Sequence, residues 1–276
     1  MSLPNTPRDY AVGGRDSMAK EKQKLLQDIF EARYERGYRY LDRCGDAIAV
    51  LEEGLPKISG GAVWMPDEMA PKGAKMKCPE HELTLVIDSA RVGIDQNPAD
   101  VPCPFADIAD YVFQTVKSKF DISDVVRLGR RKLFVAPTDS VDDAEALSIK
   151  KAPTKEWPKT KDESLAARSF DMTVDLEDPG RTKGMRLIVS PIHRPEAPLS
   201  IDERLRRPPH LLREGQREAL LAQLKRRKQR ELSPVAGLLI DVDYWVIRPD
   251  EPDIQQFIES SEEEIAYVIG SFMEST

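Results

Sequence analysis

The chain has 276 residues, of which 40% are hydrophobic and 32% charged, and its formal net charge is −7 at neutral pH. This length is enough for one large domain or two small ones with a sizeable core, and the acidic balance argues against non-specific nucleic-acid binding by the whole surface. No apolar run approaches the roughly 20 residues that span a bilayer. Three cysteines, Cys44, Cys78 and Cys103, are too few for a disulfide framework. We therefore expect a soluble, cytoplasmic protein with no signal peptide and no membrane association.

The N-terminal region divides into a tail and a helix. Residues 1–16 are rich in Pro, Gly and Asn and predict a flexible tail. Residues 17 to about 53 predict one long amphipathic helix, because apolar side chains recur in steps of three and four. They are Leu26, Phe30, Tyr34, Tyr38, Leu41, Cys44, Ile48 and Leu51. Packing of this helix on its own domain is favoured, and pairing with a second copy to form a homo-oligomer is the alternative.

The rest of residues 17–150 predicts a first α+β half. Residues 82–94 have the composition of a strand, and prolines follow it. Apolar positions between Phe105 and Phe120 then form the inner stripe of a helix. Residues 125–136 are a further strand candidate. Residues 151–168 are polar and contain two prolines, which predicts a linker or surface excursion.

Residues 169–276 predict a second half. Residues 170–189 alternate apolar and polar side chains about a turn, which is typical of a β-hairpin. A basic helical insertion is expected near 200–232, with its helix at about 211–232. Residues 238–247 predict an interior strand, since both of its faces are largely apolar. A last helix follows, with an apolar stripe from Ile254 to Phe272.

The two halves share a sequence pattern. Leu85-Val86-Ile87-Asp88 resembles Leu238-Leu239-Ile240-Asp241, and each is followed by a Pro-rich break and an amphipathic helix. Two matches in the same order indicate a duplication. The predicted fold class is α+β: two related strand-helix halves with antiparallel sheet, plus the long N-terminal helix.

Two carboxylates are the first candidates for chemistry. Asp241 and Asp243 lie on one face of the predicted strand, about 7 Å apart, and could hold a divalent cation or act as an acid/base pair. The alternative is that each satisfies an arginine or a loop amide. The position that corresponds to Asp243 in the first half is Ala90, which favours the structural role.

Other catalytic or metal-binding patterns are weak. Cys78-Pro79-Glu80-His81 has the spacing of half a zinc site, but the sequence offers no matching second half. No nucleophile elbow and no phosphate-binding loop occurs. We therefore assign no catalytic residue, no metal ligand and no cofactor.

A basic cluster is the most unusual local feature. Its candidate binding residues are Arg204, Arg206, Arg207, Lys225, Arg226, Arg227, Lys228 and Arg230. The helix that follows is acidic, so the cluster either binds a partner or pairs with that helix within the fold. Because no aromatic side chains are interleaved for base stacking, a protein partner is favoured over nucleic acid.

The mid-chain Arg127-Leu128-Gly129 and the Leu-Leu-Ile-Asp-x-Asp strand at 238–243 resemble a sporadically distributed, functionally uncharacterised bacterial family. The sequence departs from that family's pattern after Gly129, where Arg130-Arg131-Lys132 replaces a more apolar continuation. The patchy occurrence of the family implies a defence or toxin–antitoxin setting.

Three functions remain open. The first is a non-enzymatic interaction or regulatory subunit of a bacterial protein assembly. The second is a nucleic-acid-binding component that uses residues 204–230. The third is a metal-dependent hydrolase that uses Asp241 and Asp243.

Overall fold

The computed structural model describes residues 23–35, 37–99, 101–152, 169–194, 215–231 and 235–274, and every side chain in these ranges except those of residues 38, 193–194, 227–231 and 235. The strands in these ranges are β1 (Lys24–Tyr34), β2 (Met65–Ala70), β3 (Gly73–Cys78), β4 (Leu83–Ile87), β5 (Arg91–Gln96), β6 (Val125–Thr138), β7 (Met172–Glu177), β8 (Lys183–Arg194) and β9 (Val235–Ile247). The helices are α1 (Tyr40–Ile58), α2 (Phe105–Phe120), α3 (Val141–Lys151), α4 (Gln216–Glu231) and α5 (Ile254–Glu274).

All nine strands form one antiparallel sheet in the order β2-β3-β4-β5-β1-β6-β9-β8-β7. β1 and β6 pair at its centre, from Lys24↔Val135 to Tyr34↔Val125. This pairing joins the strands of the N-terminal and C-terminal parts into one continuous sheet. The chain is α+β, but the predicted architecture, two related halves with sheets of their own, is wrong.

The predicted long N-terminal helix is also wrong. Its start at 17–22 and the predicted tail 1–16 lie outside the described residues. Where a continuous helix was expected, the chain forms β1, a short 3-10 turn at Gly37–Arg39, and α1. Gly37 is needed at the turn, because a Cβ there would lie 2.2 Å from the carbonyl oxygen of Ser89.

The strand predicted at 82–94 is two strands. β4 and β5 form a hairpin, and Asp88 stabilises its turn by accepting hydrogen bonds from the backbone N–H groups of Ala90 and Arg91, at 2.8 and 2.9 Å. Asp88 is therefore a turn residue, whereas Asp241 lies inside the strand β9, which is paired on both sides. The sequence match between these aspartates does not correspond to equivalent structural positions.

Several local predictions are confirmed. α2, β6, β9, α5 and the β7–β8 hairpin lie where the apolar spacing indicated. α4 begins at Gln216 inside the predicted basic helix, and residues 153–168 of the predicted linker lie outside the described residues. None of the described helices is both long and apolar enough to cross a membrane.

The helices α1, α2, α3 and α5 cover one face of the sheet. α1 packs on α2 and α2 packs on α5, while Lys151 at the end of α3 donates a hydrogen bond to the carbonyl of Met273 in α5. A continuous core fills the space between these helices and the sheet. Its fully buried members include Phe30, Leu51, Leu85, Ile94, Val112 and Ile265.

Candidate interaction surface

The opposite face of the sheet, which we call the open face, carries the side chains that alternate with the core residues. On β9 the core side is occupied by Leu238, Ile240 and Val242, so Asp241, Asp243 and Trp245 point the other way. α4 contacts Pro79 and Glu82 at the β3–β4 turn. Within the described ranges, therefore, no helix lies across the centre of this face.

A chain of ion pairs crosses the open face from the β4–β5 turn to β9. Arg91 bonds Asp88 at 3.0 Å and Glu31 at 2.9 Å. Arg127 lies 3.6 Å from Glu31 and holds Asp243 with hydrogen bonds of 3.0 and 2.8 Å. Isolated surface ion pairs contribute little to stability, but bidentate and networked pairs fix side-chain geometry. These charges are held in defined positions before any partner arrives.

Trp245 and Arg127 are neighbours on the open face, near the paired ends of β9 and β6. The Arg127 guanidinium carbon is 5.7 Å from the centroid of the Trp245 ring, within cation–π range. A glycine lies beneath each side chain, Gly184 of β8 beneath the indole and Gly129 of β6 beneath the guanidinium. A Cβ at Gly184 would lie 2.6 Å from the indole, and one at Gly129 would lie 3.0 Å from the guanidinium. The two glycines therefore permit a flat platform of indole and guanidinium.

Asp241 and Asp243 each bind an arginine of β6, which confirms the structural alternative for these carboxylates. Arg131 donates to Asp241 in a bidentate pair with Nε at 2.8 Å, and Arg127 binds Asp243. Burial raises the pKa of Asp243, and the positive charge of Arg127 partly offsets that shift. Hydrogen bonding to Asp241 raises the pKa of Arg131. A divalent cation at these carboxylates would have to displace two guanidinium groups.

The Arg130-Arg131-Lys132 segment is also neutralised within the fold. The side chains of Arg130 and Lys132 point to the helix side, where they contact Asp28 of β1 and Glu262 of α5. Glu262 is thus one acidic group of α5 that pairs with cations, and these two cations lie on β6. This segment does not form a free basic patch.

The predicted basic cluster is only partly described. Arg204, Arg206 and Arg207 lie outside the described residues, as do the side chains of Arg227, Lys228 and Arg230. Lys225 is exposed. Arg226 is partly buried and donates a 2.6 Å hydrogen bond to the carbonyl of Pro79, with its Nε 3.7 Å from Glu82. Arg226 therefore anchors α4 to the β3–β4 turn and is not free to bind a partner.

The half zinc site at residues 78–81 is buried. The Cys78 thiol lies 3.8 Å from Glu80, and burial raises its pKa to about 12, which disfavours the thiolate that zinc requires. His81 Nε2 is 3.2 Å from the carbonyl oxygen of Ser59. Among the described residues, no three His, Cys, Asp or Glu side chains form a group that could hold a metal ion.

Sequence reasoning missed Glu31, Arg91 and Arg127 as members of a common surface. The alternation of Arg127, Gly129 and Arg131 with buried or helix-facing residues was a local signal for an open strand face. The convergence of these side chains required the β5-β1-β6-β9 strand order, which no local pattern encodes.

Comparison with known proteins adds no assignment. No protein-family model matches this chain, and no protein of curated function shows significant sequence similarity to it.

Proposed function

We propose that this protein is a non-enzymatic interaction subunit that binds a protein partner through the open face of its sheet. The observation that carries the proposal is the contact between Trp245 and Arg127 on the open face, where Arg127 belongs to a chain of ion pairs. Trp and Arg are the residues that most often dominate the binding energy of protein interfaces. Because the ion pairs already order these side chains, binding would lose little further side-chain entropy.

The charge pattern of the open face favours a protein partner over nucleic acid. Carboxylates alternate with arginines across it: Asp88, Arg91, Glu31, Arg127 and Asp243. A nucleic-acid backbone requires a continuous positive track. A protein surface with its own mixed charges can instead match such an alternation.

The other two functions receive less support. For the hydrolase, both Asp241 and Asp243 are occupied by arginines. For the nucleic-acid-binding function, the described side chains of the basic cluster are those of Lys225 and Arg226. Lys225 is exposed, whereas Arg226 binds the carbonyl of Pro79 within the fold. In the setting that the family resemblance implies, the partner is another subunit of a cytoplasmic bacterial assembly in a defence or toxin–antitoxin system.

Site-specific photo-crosslinking in the native host tests this proposal. A benzophenone amino acid replaces Arg186 on the open face, where the side chain is 51% exposed and pairs with Asp175. The matched control replaces Tyr267 on α5, which is 73% exposed on the helix side. We expect one discrete protein adduct from position 186 that survives nuclease treatment, and none from position 267.

Two results would contradict the proposal. If only position 267 forms adducts, the partner binds the helix side. If adducts at position 186 disappear after nuclease treatment, nucleic acid mediates the association.

A further inference from the structure

A small concavity lies on the open face between β4, β5 and β1. Gly93 leaves its floor open, and Ile29 and Val86 provide its apolar walls. Asp95 lies at one end, with Glu31 and its partner Arg91 also on the lining. The cavity volume is about 160 Å³, below the range of roughly 300–1,000 Å³ that is typical of small-molecule pockets. A single side chain is the size of ligand that it fits.

Asp95 binds a neutral side chain, whereas the other carboxylates discussed on this face bind an arginine. Gln27 donates to both of its oxygens at 2.8 Å. In the described parts of the chain Asp95 has no lysine or arginine within 4 Å, whereas Glu31, Asp241, Asp243 and Asp175 each have an arginine. An ionised carboxylate can accept about four hydrogen bonds, so each oxygen retains acceptor capacity toward the cavity.

The environment of Asp95 makes it receptive to a cation. Burial raises its pKa and the charge of Asp28 adds to the shift, while the Gln27 hydrogen bonds oppose it. A half-buried carboxylate that lacks a counter-ion is stabilised when an opposite charge arrives. At the other end of the cavity Glu31 is already shared by Arg91, Arg33 and Arg127. The uncompensated negative charge is therefore at the Asp95 end.

We propose that the Gly93 concavity binds an arginine side chain of the protein partner, with the alkyl stem on Ile29 and Val86 and the guanidinium on Asp95. This inference rests on the proposed function and names the anchor residue of the partner. A guanidinium presents two parallel N–H donors that match the two carboxylate oxygens. Its methylene groups suit the apolar walls.

Three peptide probes test the assignment. Each is an acetylated and amidated pentapeptide, with a central arginine, its neutral isostere citrulline, or glutamate. Titration into the full-length ¹⁵N-labelled chain is followed by amide chemical shifts. We expect saturable shifts at Gly93 and adjacent residues with the arginine peptide, with a Kd on the order of 1 mM. The citrulline peptide should bind about 10-fold or more weakly, since hydrogen bonds to charged groups are the stronger ones.

Two substitutions and one control locate the effect. Asp95→Asn should lower affinity for the arginine peptide to that of the citrulline peptide, and leave citrulline binding unchanged. Gly93→Val should abolish both, because it fills the cavity; the site accepts a Cβ, whose nearest neighbour would be the Phe30 carbonyl oxygen at 3.4 Å. Asp175→Asn, a paired carboxylate elsewhere on the open face, should change nothing. The ¹⁵N spectrum of each variant reports whether it is folded.

The proposal is overturned if the arginine and citrulline peptides bind alike, if Asp95→Asn leaves arginine binding intact, or if no saturable shift occurs near Gly93. The proposed function can fail separately. Partner adducts at position 186 that persist in Gly93→Val would retain the open face as the interface and reject the concavity. Absence of adducts there would reject the interface whatever the peptides show.

Discussion

Asp28 and Arg130 form a bidentate ion pair beneath α5, with Oδ1–Nε and Oδ2–Nη2 distances of 3.1 and 2.8 Å. Their side chains are only 6% and 5% exposed. Lys132 lies 3.4 Å from the same carboxylate, and Arg130 also donates to the carbonyl of Ile258 in α5. Asp28 is therefore the buried carboxylate that compensates two cations inside the fold, together with the half-exposed Glu262.

Removal of that aspartate should be severe. Asp28→Ala leaves two cations buried with reduced compensation, and breaking a buried pair in this way costs about 3–5 kcal/mol. Urea denaturation, followed by circular dichroism, measures the change in unfolding free energy. Asp175→Ala removes an exposed ion pair and should cost far less than Asp28→Ala, because solvent screens such pairs. Equal losses in the two variants would contradict a special role for Asp28.

The platform depends on a missing side chain at position 184. In Gly184→Ala the new Cβ would meet the Trp245 ring at 2.6 Å and the Leu176 carbonyl oxygen at 2.9 Å, so we expect a loss of about 1–3 kcal/mol and an altered tryptophan emission spectrum. Gly45→Ala is the matched control. Position 45 lies inside α1 with nothing within 4 Å of a Cβ, and alanine should stabilise it by about 0.5–1 kcal/mol. A neutral Gly184→Ala would show that the indole is free to move.

Asp95 should lower stability as it ionises. Its pKa in the folded state is raised above the ordinary 3.8, so between these two values the folded chain holds more protons than the unfolded chain. Stability then falls as the pH rises through that interval. The unfolding free energy of Asp95→Asn minus that of the wild type should grow from below pH 3.8 to neutral pH and then level off. If the stability of the wild type instead rises relative to that of the variant as the pH rises, the Gln27 hydrogen bonds lower the pKa of Asp95 more than burial raises it.

The start of α3 depends on a side-chain cap. Ser140 is extended and accepts a 3.1 Å hydrogen bond from the backbone N–H of Asp143. Ser140→Ala should cost about 1 kcal/mol, measured by thermal or urea unfolding. Ser140→Asn keeps an acceptor and should lose much less. Equal losses from alanine and asparagine would mean that the cap does not contribute.

The sequence predicted elements whose apolar spacing has one interpretation, such as α2, β9 and α5. It failed at β1, where Leu26, Phe30 and Tyr34 are four residues apart. That spacing fits one stripe of a helix and also one face of a strand. The residues between them distinguish a helix from a strand. Asp28 lies on the buried face of β1, but a charged residue there breaks the apolar–polar alternation that predicts a strand. The cations that allow its burial, Arg130 and Lys132, lie about a hundred positions away in the sequence.

Only part of the candidate site could be predicted from the sequence. The alternative that Asp241 and Asp243 satisfy arginines followed from their residue types and is confirmed. The identity of those arginines depends on the β6–β9 register. The Gly93 concavity depends on β1 lying beside β5. Both are non-local pairings that periodicity within one segment cannot reveal.

The position of β1 in the sheet has a consequence for folding kinetics. Phe30 pairs with Ile94 on one side and with Arg130 on the other, so β1 gains both neighbours only after long loops have closed. Pairings of this kind raise contact order and slow folding. During synthesis the β1 segment emerges before either partner strand and must remain unpaired until β5 and then β6 follow. The strand at the centre of the finished sheet thus completes its pairing only after β6 has been synthesised.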